Sequence, residues 1–139
     1  WSQVVINTNP NAKITAIDIN EIKFNHPNLK FIKENFFDID YKKLSKKFDL
    51  VLSDIAPNTT GHKSTDHLRI FQYINNIIDL LPLISNNKSS FVTKLWKGSE
   101  EIFLIKRLKQ QFEEVKYFKP TSSRKDSSEI YIIATNYIY

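Results

Sequence analysis

The chain is predicted to fold as an α/β domain, with a mostly parallel sheet covered by helices on both faces and closed by an antiparallel pair. Three observations carry this. Short apolar runs alternate with long amphipathic helical patterns, which is the signature of parallel strands joined by crossover helices. The last two apolar runs have no helical pattern between them, so they should pair as an antiparallel hairpin. And 139 residues with 41% apolar and 25% charged content suffice for one domain with a modest core.

The elements follow in order. Residues 1–6 fit the end of a helix. Lys13-Ile14-Thr15-Ala16-Ile17-Asp18 reads as a strand ending on an acid, and residues 29–33 as a second short strand. A weak helical pattern covers 41–46. Residues 48–54 form the clearest strand, with four of the six residues from Phe48 to Ser53 apolar before the run stops at Asp54. Residues 66–83 place Phe71, Ile74, Ile78 and Leu81 on one helical stripe. Strand 91–96 follows. Residues 99–112 form a second helix with Ile102, Ile105, Leu108 and Phe112 on its stripe and Ser99 as N-cap. Strands 115–119 and 129–135 complete the sheet around the loop 120–128. There is no repeat, low-complexity tail or linker, so residues 1–139 are expected to form a single domain.

Composition narrows the class of function. Without cysteine there is neither a disulfide framework nor a thiolate metal site. No apolar run reaches membrane-spanning length, and no signal-peptide pattern opens the chain; no membrane partner is expected. The net charge of +5 and pI near 9.3 favour a polyanionic partner, because each neutralised phosphate releases counterions. Heavy use of Asn, Ile and Lys beside only 2 Gly also matches the bias of an AT-rich coding sequence, so part of the lysine excess is compositional. The chain starts at Trp1 and has no methionine, which leads to the expectation that upstream sequence exists.

In open parallel sheets ligands bind beyond the carboxyl ends of the strands, so the residues there are the candidates. The first strand ends on Asp18, the second is followed by Glu34-Asn35, and the third ends on Asp54. The fourth carries Lys94 near its end with Lys97-Gly98 beyond, and the final antiparallel strand begins with Glu129. A carboxylate such as Asp18 accepts two hydroxyl donors at once and suits a ribose; a solvated strand-end acid or helix cap is the plainer alternative. Asp54, Lys94 and Glu129 could be a structural salt-bridge cluster, or could surround a general base. A lysine takes a proton only when neutral; flanking carboxylates favour its charged form and a nearby cation the neutral one. His62 and His67 are five residues apart across a loop, and with His26 they do not make a metal-ligand pattern, so no metal is expected. The hydroxyl-rich basic run Thr121-Ser122-Ser123-Arg124-Lys125-Asp126-Ser127-Ser128 is either a flexible turn or a clamp for phosphates and sugars.

Taken together, Trp1-Ser2-Gln3, Ser53-Asp54-Ile55-Ala56-Pro57-Asn58, Phe91-Val92-Thr93-Lys94, and Lys119-Pro120-Thr121-Ser122-Ser123-Arg124 followed by Ser128-Glu129-Ile130-Tyr131 resemble the FtsJ/RrmJ family. These are S-adenosylmethionine-dependent RNA ribose 2′-O-methyltransferases, and the resemblance runs from residue 1 to about residue 136. It implies a Rossmann-like methyltransferase sheet whose last strand is antiparallel, with S-adenosyl-L-methionine as cofactor. Of the family's Lys-Asp-Lys-Glu tetrad it implies Asp54, Lys94 and Glu129, with Lys94 as general base. The tetrad's first lysine, the first strand and the glycine loop have no counterpart here, so the chain resembles the family domain without its N-terminal part. Trp1, Asp18, Asn35 and Asp54 are the implied cofactor contacts; Asn35 stands where the family commonly has aspartate. Asn58, Lys97, Ser123 and Arg124 are expected to face RNA.

The run from Ser123 to Tyr131 is most similar to the large-subunit ribosomal RNA branch, which implies a uridine of that RNA as target, rRNA processing as context, and ribosomal RNA or the large subunit as partner. A transfer RNA or mRNA-cap methyltransferase of the same family, and a catalytically silent RNA-binding domain, are the alternatives. A small-molecule methyltransferase would not need the basic loop. A monomer in the cytoplasm or an organelle such as the mitochondrion is expected.

Overall fold

The computed structural model describes residues 1–44, 46–58, 60–98, 100–121 and 128–138. They form two compact units, Trp1–Lys43 and Leu44–Tyr139.

The first unit begins with helix α1 (Ser2–Thr8). Two parallel strands follow, β1 (Ile14–Asp18) and β2 (Leu29–Lys33), in register from Ile14 opposite Leu29 to Asp18 opposite Lys33. The ladder is extended at both ends, by the Ile14 amide on the Asn28 carbonyl (2.8 Å) and the Glu34 amide on the Asp18 carbonyl (3.1 Å). The helix expected over 41–46 is instead a single 3₁₀ turn, Tyr41–Lys43, preceded by another at Phe36–Asp38. The physical reason is local: the Asn35 and Asp40 side chains each accept from a backbone amide two residues on, closing tight turns that compete with a continuing helix. Tyr41 is buried and donates its hydroxyl to the Phe36 carbonyl at 2.8 Å.

The second unit holds the larger sheet. Strand β3 (Phe48–Ser53) leads to helix α2 (Lys63–Ile84), then β4 (Ser85–Trp96), helix α3 (Glu101–Leu108), β5 (Phe112–Phe118) and β6 (Glu129–Tyr137). The strand order is β3-β4-β6-β5. β3 runs parallel to β4, while β6 runs antiparallel to both β4 and β5. Only β6 is reversed, as expected for the final strand, and it lies between β4 and β5 rather than at an edge.

Strict alternation drives this. Phe91, Thr93 and Leu95 of β4 and Ile130, Ile132 and Ala134 of β6 are buried, and their alternating neighbours are half-buried. The buried face meets α2, whose Ile70, Ile74, Ile77, Ile78, Leu81 and Ile84 are buried. α2 and α3 share this side of the sheet: Phe71 and Phe103 rings lie 5.9 Å apart, and Arg107 reaches the Asn75 and Asp79 side chains.

Helix α3 corrects the expected stripe. Its buried residues are Leu104 and Leu108, whereas Ile102 is 71% exposed, and Phe112 belongs to β5. The helix ends at Leu108 instead of 112, because Phe112 is drawn into the sheet, where it pairs with Tyr137 and packs ring to ring at 5.1 Å. The N-terminal cap position is Glu100; the expected cap, Ser99, lies outside the described residues. β4 also starts earlier than expected, directly at the end of α2, with an irregular stretch before Leu50 and Ser90 come into register.

Candidate active site at the strand ends

β3 delivers Ser53 opposite Thr93 of β4, so the next residues in the two strands are Asp54 and Lys94. Across the other side of β4, Lys94 pairs with Tyr131 and Trp96 with Glu129. Directly paired residues of antiparallel strands project to the same face, which sets Lys94 beside Tyr131 on the half-buried face, with the Trp96–Glu129 pair ending the ladder. Asp54, Lys94 and Glu129 thus gather at one end of one sheet because β3 stops at the turn into Ile55-Ala56-Pro57 while β4 continues past it. Asp54 is exposed and Lys94 half-buried. Tyr131, opposite Lys94, becomes a member of the site only once the ladder register is known.

The loop after Asp54 is tied down. Both the amide and the hydroxyl of Thr60 donate to Asp66 Oδ1, each at 2.8 Å. Gly61 sits at φ +85°, in the left-handed region that glycine enters without strain, and the Asp66 amide bonds the His62 carbonyl at 3.0 Å. The Thr60 amide foremost, then its hydroxyl, the Gly61 amide and Arg69, hold the Asp66 carboxyl below the usual carboxylate range against the opposing effect of burial. Asp66 was not among the sequence candidates. Its signal is an acid in the first turn of a long helix just after a Thr-Thr-Gly run.

Of the residues expected to face RNA, Asn58 and Lys97 are exposed. The Lys97 amide bonds the Ser128 carbonyl at 2.8 Å, linking the end of β4 to the approach of β6. Ser123 and Arg124 lie outside the described residues.

The residues expected to hold a cofactor, Trp1, Asp18 and Asn35, belong to the first unit. Asp18 is exposed at the carboxyl end of β1, its Oδ1 accepting the Asn20 amide at 2.7 Å, which fixes the carboxylate as an acceptor for further donors. Asn35 accepts the Phe37 amide on its Oδ1 at 3.1 Å as the cap of a 3₁₀ turn, and its side chain can still both accept and donate. Trp1 is 44% exposed at the head of α1. Asp18 and Asn35 thus carry acceptor and donor groups of the kind an adenosyl group can use.

Residues 1–137 match the FtsJ-like methyltransferase family. This chain belongs to that family. Among curated relatives, the proteins named ribosomal RNA large subunit methyltransferase E from Rickettsia rickettsii (strain Sheila Smith) and Rickettsia bellii are 35% and 37% identical over 147 aligned positions, covering 98% of this chain. The chain spans 64% of the length of those relatives. Among solved structures, a protein described as a ribosomal RNA methyltransferase from Plasmodium falciparum superposes with a TM-score of 0.81 at 30% identity, over 99% of this chain and 80% of that one. The family match and that superposition support a Rossmann-like methyltransferase fold.

Proposed function

We propose that this protein transfers a methyl group from S-adenosyl-L-methionine to a ribose 2′-hydroxyl of RNA, with a uridine of large-subunit ribosomal RNA as target. The observation that carries the reading is the convergence of Asp54, Lys94 and Glu129 at the end of one sheet, in a chain whose relatives bear the name ribosomal RNA large subunit methyltransferase E.

Asp18 would take the ribose hydroxyls of the cofactor, Asn35 and Trp1 its adenine side, and Asp54 its methionine end. When bound, the cofactor supplies an electrophilic methyl group on a sulfonium cation. A 2′-hydroxyl is a poor nucleophile until its proton leaves. Lys94 would accept that proton at Nζ while the bound cofactor would supply the methyl group to the hydroxyl oxygen. Asp54 and Glu129 orient the ammonium group that results and hold the sugar in line, where positioning itself supplies part of the rate. Asn58 and Lys97, with Ser123 and Arg124, would hold the RNA backbone, and the net charge of +5 draws the polyanion in.

The reading is tested by radiolabelled methyl transfer to ribosomal RNA alongside calorimetric titration with S-adenosyl-L-methionine. Lys94→Ala should lower transfer by about a hundredfold or more, the scale of general-base catalysis, while retaining the heat of cofactor binding. Transfer by Lys94→Ala at the wild-type rate contradicts the assignment of the base, and absence of any cofactor heat in the wild type favours a silent RNA-binding domain.

A further inference from the structure

Two residues beyond Lys94 on β4, the indole of Trp96 meets the imidazole of His67 from the first turns of α2, with ring centroids 5.4 Å apart and planes inclined by 58°. Both rings are half-buried. They form one wall of a cleft of about 370 Å³ whose rim includes Lys63, Gly61 and Ser128. His67 and Lys63 also line a neighbouring cleft of about 330 Å³. Volumes of this order belong to the range of small-ligand sites.

The turn after β4 leaves room for the imidazole. A Cβ on Gly98 would stand 2.9 Å from His67 Nδ1, closer than atoms tolerate, so glycine at 98 is what lets the imidazole lie against the turn after β4. Lys63 is exposed, one helical turn before His67 on the same side of α2. Asp66 in the same cleft is committed to Thr60. A tilted aromatic pair with an exposed lysine at its rim, a short step along the strand from the proposed base, matches the two parts of a nucleotide: a base to stack on one of the rings and a phosphate to neutralise.

We propose that the His67–Trp96 cleft is a stacking subsite for an unpaired nucleobase next to the target ribose, with Lys63 contacting the adjoining phosphate. It rests on the methyl-transfer reading for the identity of the polymer. The indicated substrate is therefore RNA that is single-stranded at the modified position, because a base held in a duplex cannot enter the cleft.

The test measures binding of 5′-labelled pentauridylate, and of an abasic ribose-phosphate strand of the same length, by fluorescence anisotropy. Wild type should bind pentauridylate more tightly than the abasic strand. His67→Ala should weaken pentauridylate binding by about fivefold or more, the effect of losing one stacked base, and leave the abasic strand unchanged. His67→Phe, which keeps a flat ring, should restore pentauridylate binding. Lys63→Gln should weaken both strands alike. Equal binding of pentauridylate by wild type and His67→Ala overturns the subsite, as do an equal loss on the abasic strand and a wild type that binds neither. Methyl transfer to ribosomal RNA, assayed on the same wild-type preparation, separates the two ideas: transfer with no His67 effect removes the subsite alone, and no transfer removes the function.

Discussion

Asp66 shows what a single carboxylate can do for a site it does not enter. It anchors Thr60, six residues upstream, and with it the loop that carries Asn58. Its folded-state pKa lies below that of the unfolded chain. Between the two values the unfolded chain binds more protons, so the stabilisation is present above about pH 4 and is lost as the pH falls through the folded value. Asp66→Asn should therefore lower the urea midpoint at pH 7, and the gap from wild type should narrow as the pH is taken below about 4. A gap that stays constant down to acid-unfolding conditions would show that the carboxylate charge is not what holds the loop. Tyr41 shifts the opposite way: burial foremost, then the nearby Glu34 charge, raise its phenol well above the ordinary tyrosine range, so it remains a neutral hydrogen-bond donor to Phe36 at every physiological pH. Residue chemistry at strand ends was readable in the sequence, because a strand that stops on an acid or a lysine announces itself. The loop-anchoring role of Asp66 has only a faint signal there, and the places of His67 and Tyr131 beside the strand ends have none. Their partners lie elsewhere in the chain or depend on ladder register, as with His67 against Trp96 and Gly98.

At the scale of elements, α3 is the instructive case. Periodicity places Ile102, Ile105, Leu108 and Phe112 on its stripe, but of these only Leu108 is a buried residue of the helix, joined by Leu104. Packing against α2 and β5 turns that side inward and leaves Ile102 in solvent. Leu104→Ala or Leu108→Ala should each cost about 2–5 kcal/mol of stability, as deletions of fully buried leucine atoms do, while Ile102→Ala should stay within about 0.5 kcal/mol. Urea unfolding of the three variants checks this, and an Ile102→Ala cost as large as that of Leu104→Ala would put the wrong face inward. The strands were legible because alternation in β4 and β6 is strict. Their ends were less so: β4 draws in the polar residues Ser85–Ser90, and β5 takes Phe112 from the helix pattern, both through pairing with distant strands. The helical pattern over 41–46 yields only a 3₁₀ turn at 41–43, because the Asp40 Asx turn satisfies a backbone amide over a shorter span.

At the scale of the molecule, reversal of the last strand is what brings Glu129 to the same end of the sheet as Asp54 and Lys94; a parallel β6 would start at the opposite end. That architecture was legible, since two strands without a helix between them leave little alternative to antiparallel pairing. The sheet order, with β6 inserted beside β4, was not, because nothing local in β5 or β6 specifies which strand takes the inner place. The charge of +5 predicts that RNA affinity falls steeply with salt, log K declining linearly with log salt at a slope near −0.7 per phosphate contacted. Binding isotherms at several salt concentrations measure that slope, and affinity independent of salt would contradict an electrostatic approach.

The central claim, transfer to a ribose oxygen with Lys94 as base, is tested most directly by where the methyl group lands. A 2′-O-methyl blocks alkaline cleavage of the adjacent phosphodiester, because that cleavage needs the free 2′-hydroxyl. Large-subunit ribosomal RNA labelled by this protein from radioactive S-adenosyl-L-methionine and hydrolysed in alkali should yield its label in a resistant dinucleotide, and Lys94→Ala should yield about a hundredfold less or lower. Label recovered in mononucleotides, or the same resistant dinucleotide in equal amount from Lys94→Ala, would contradict the account.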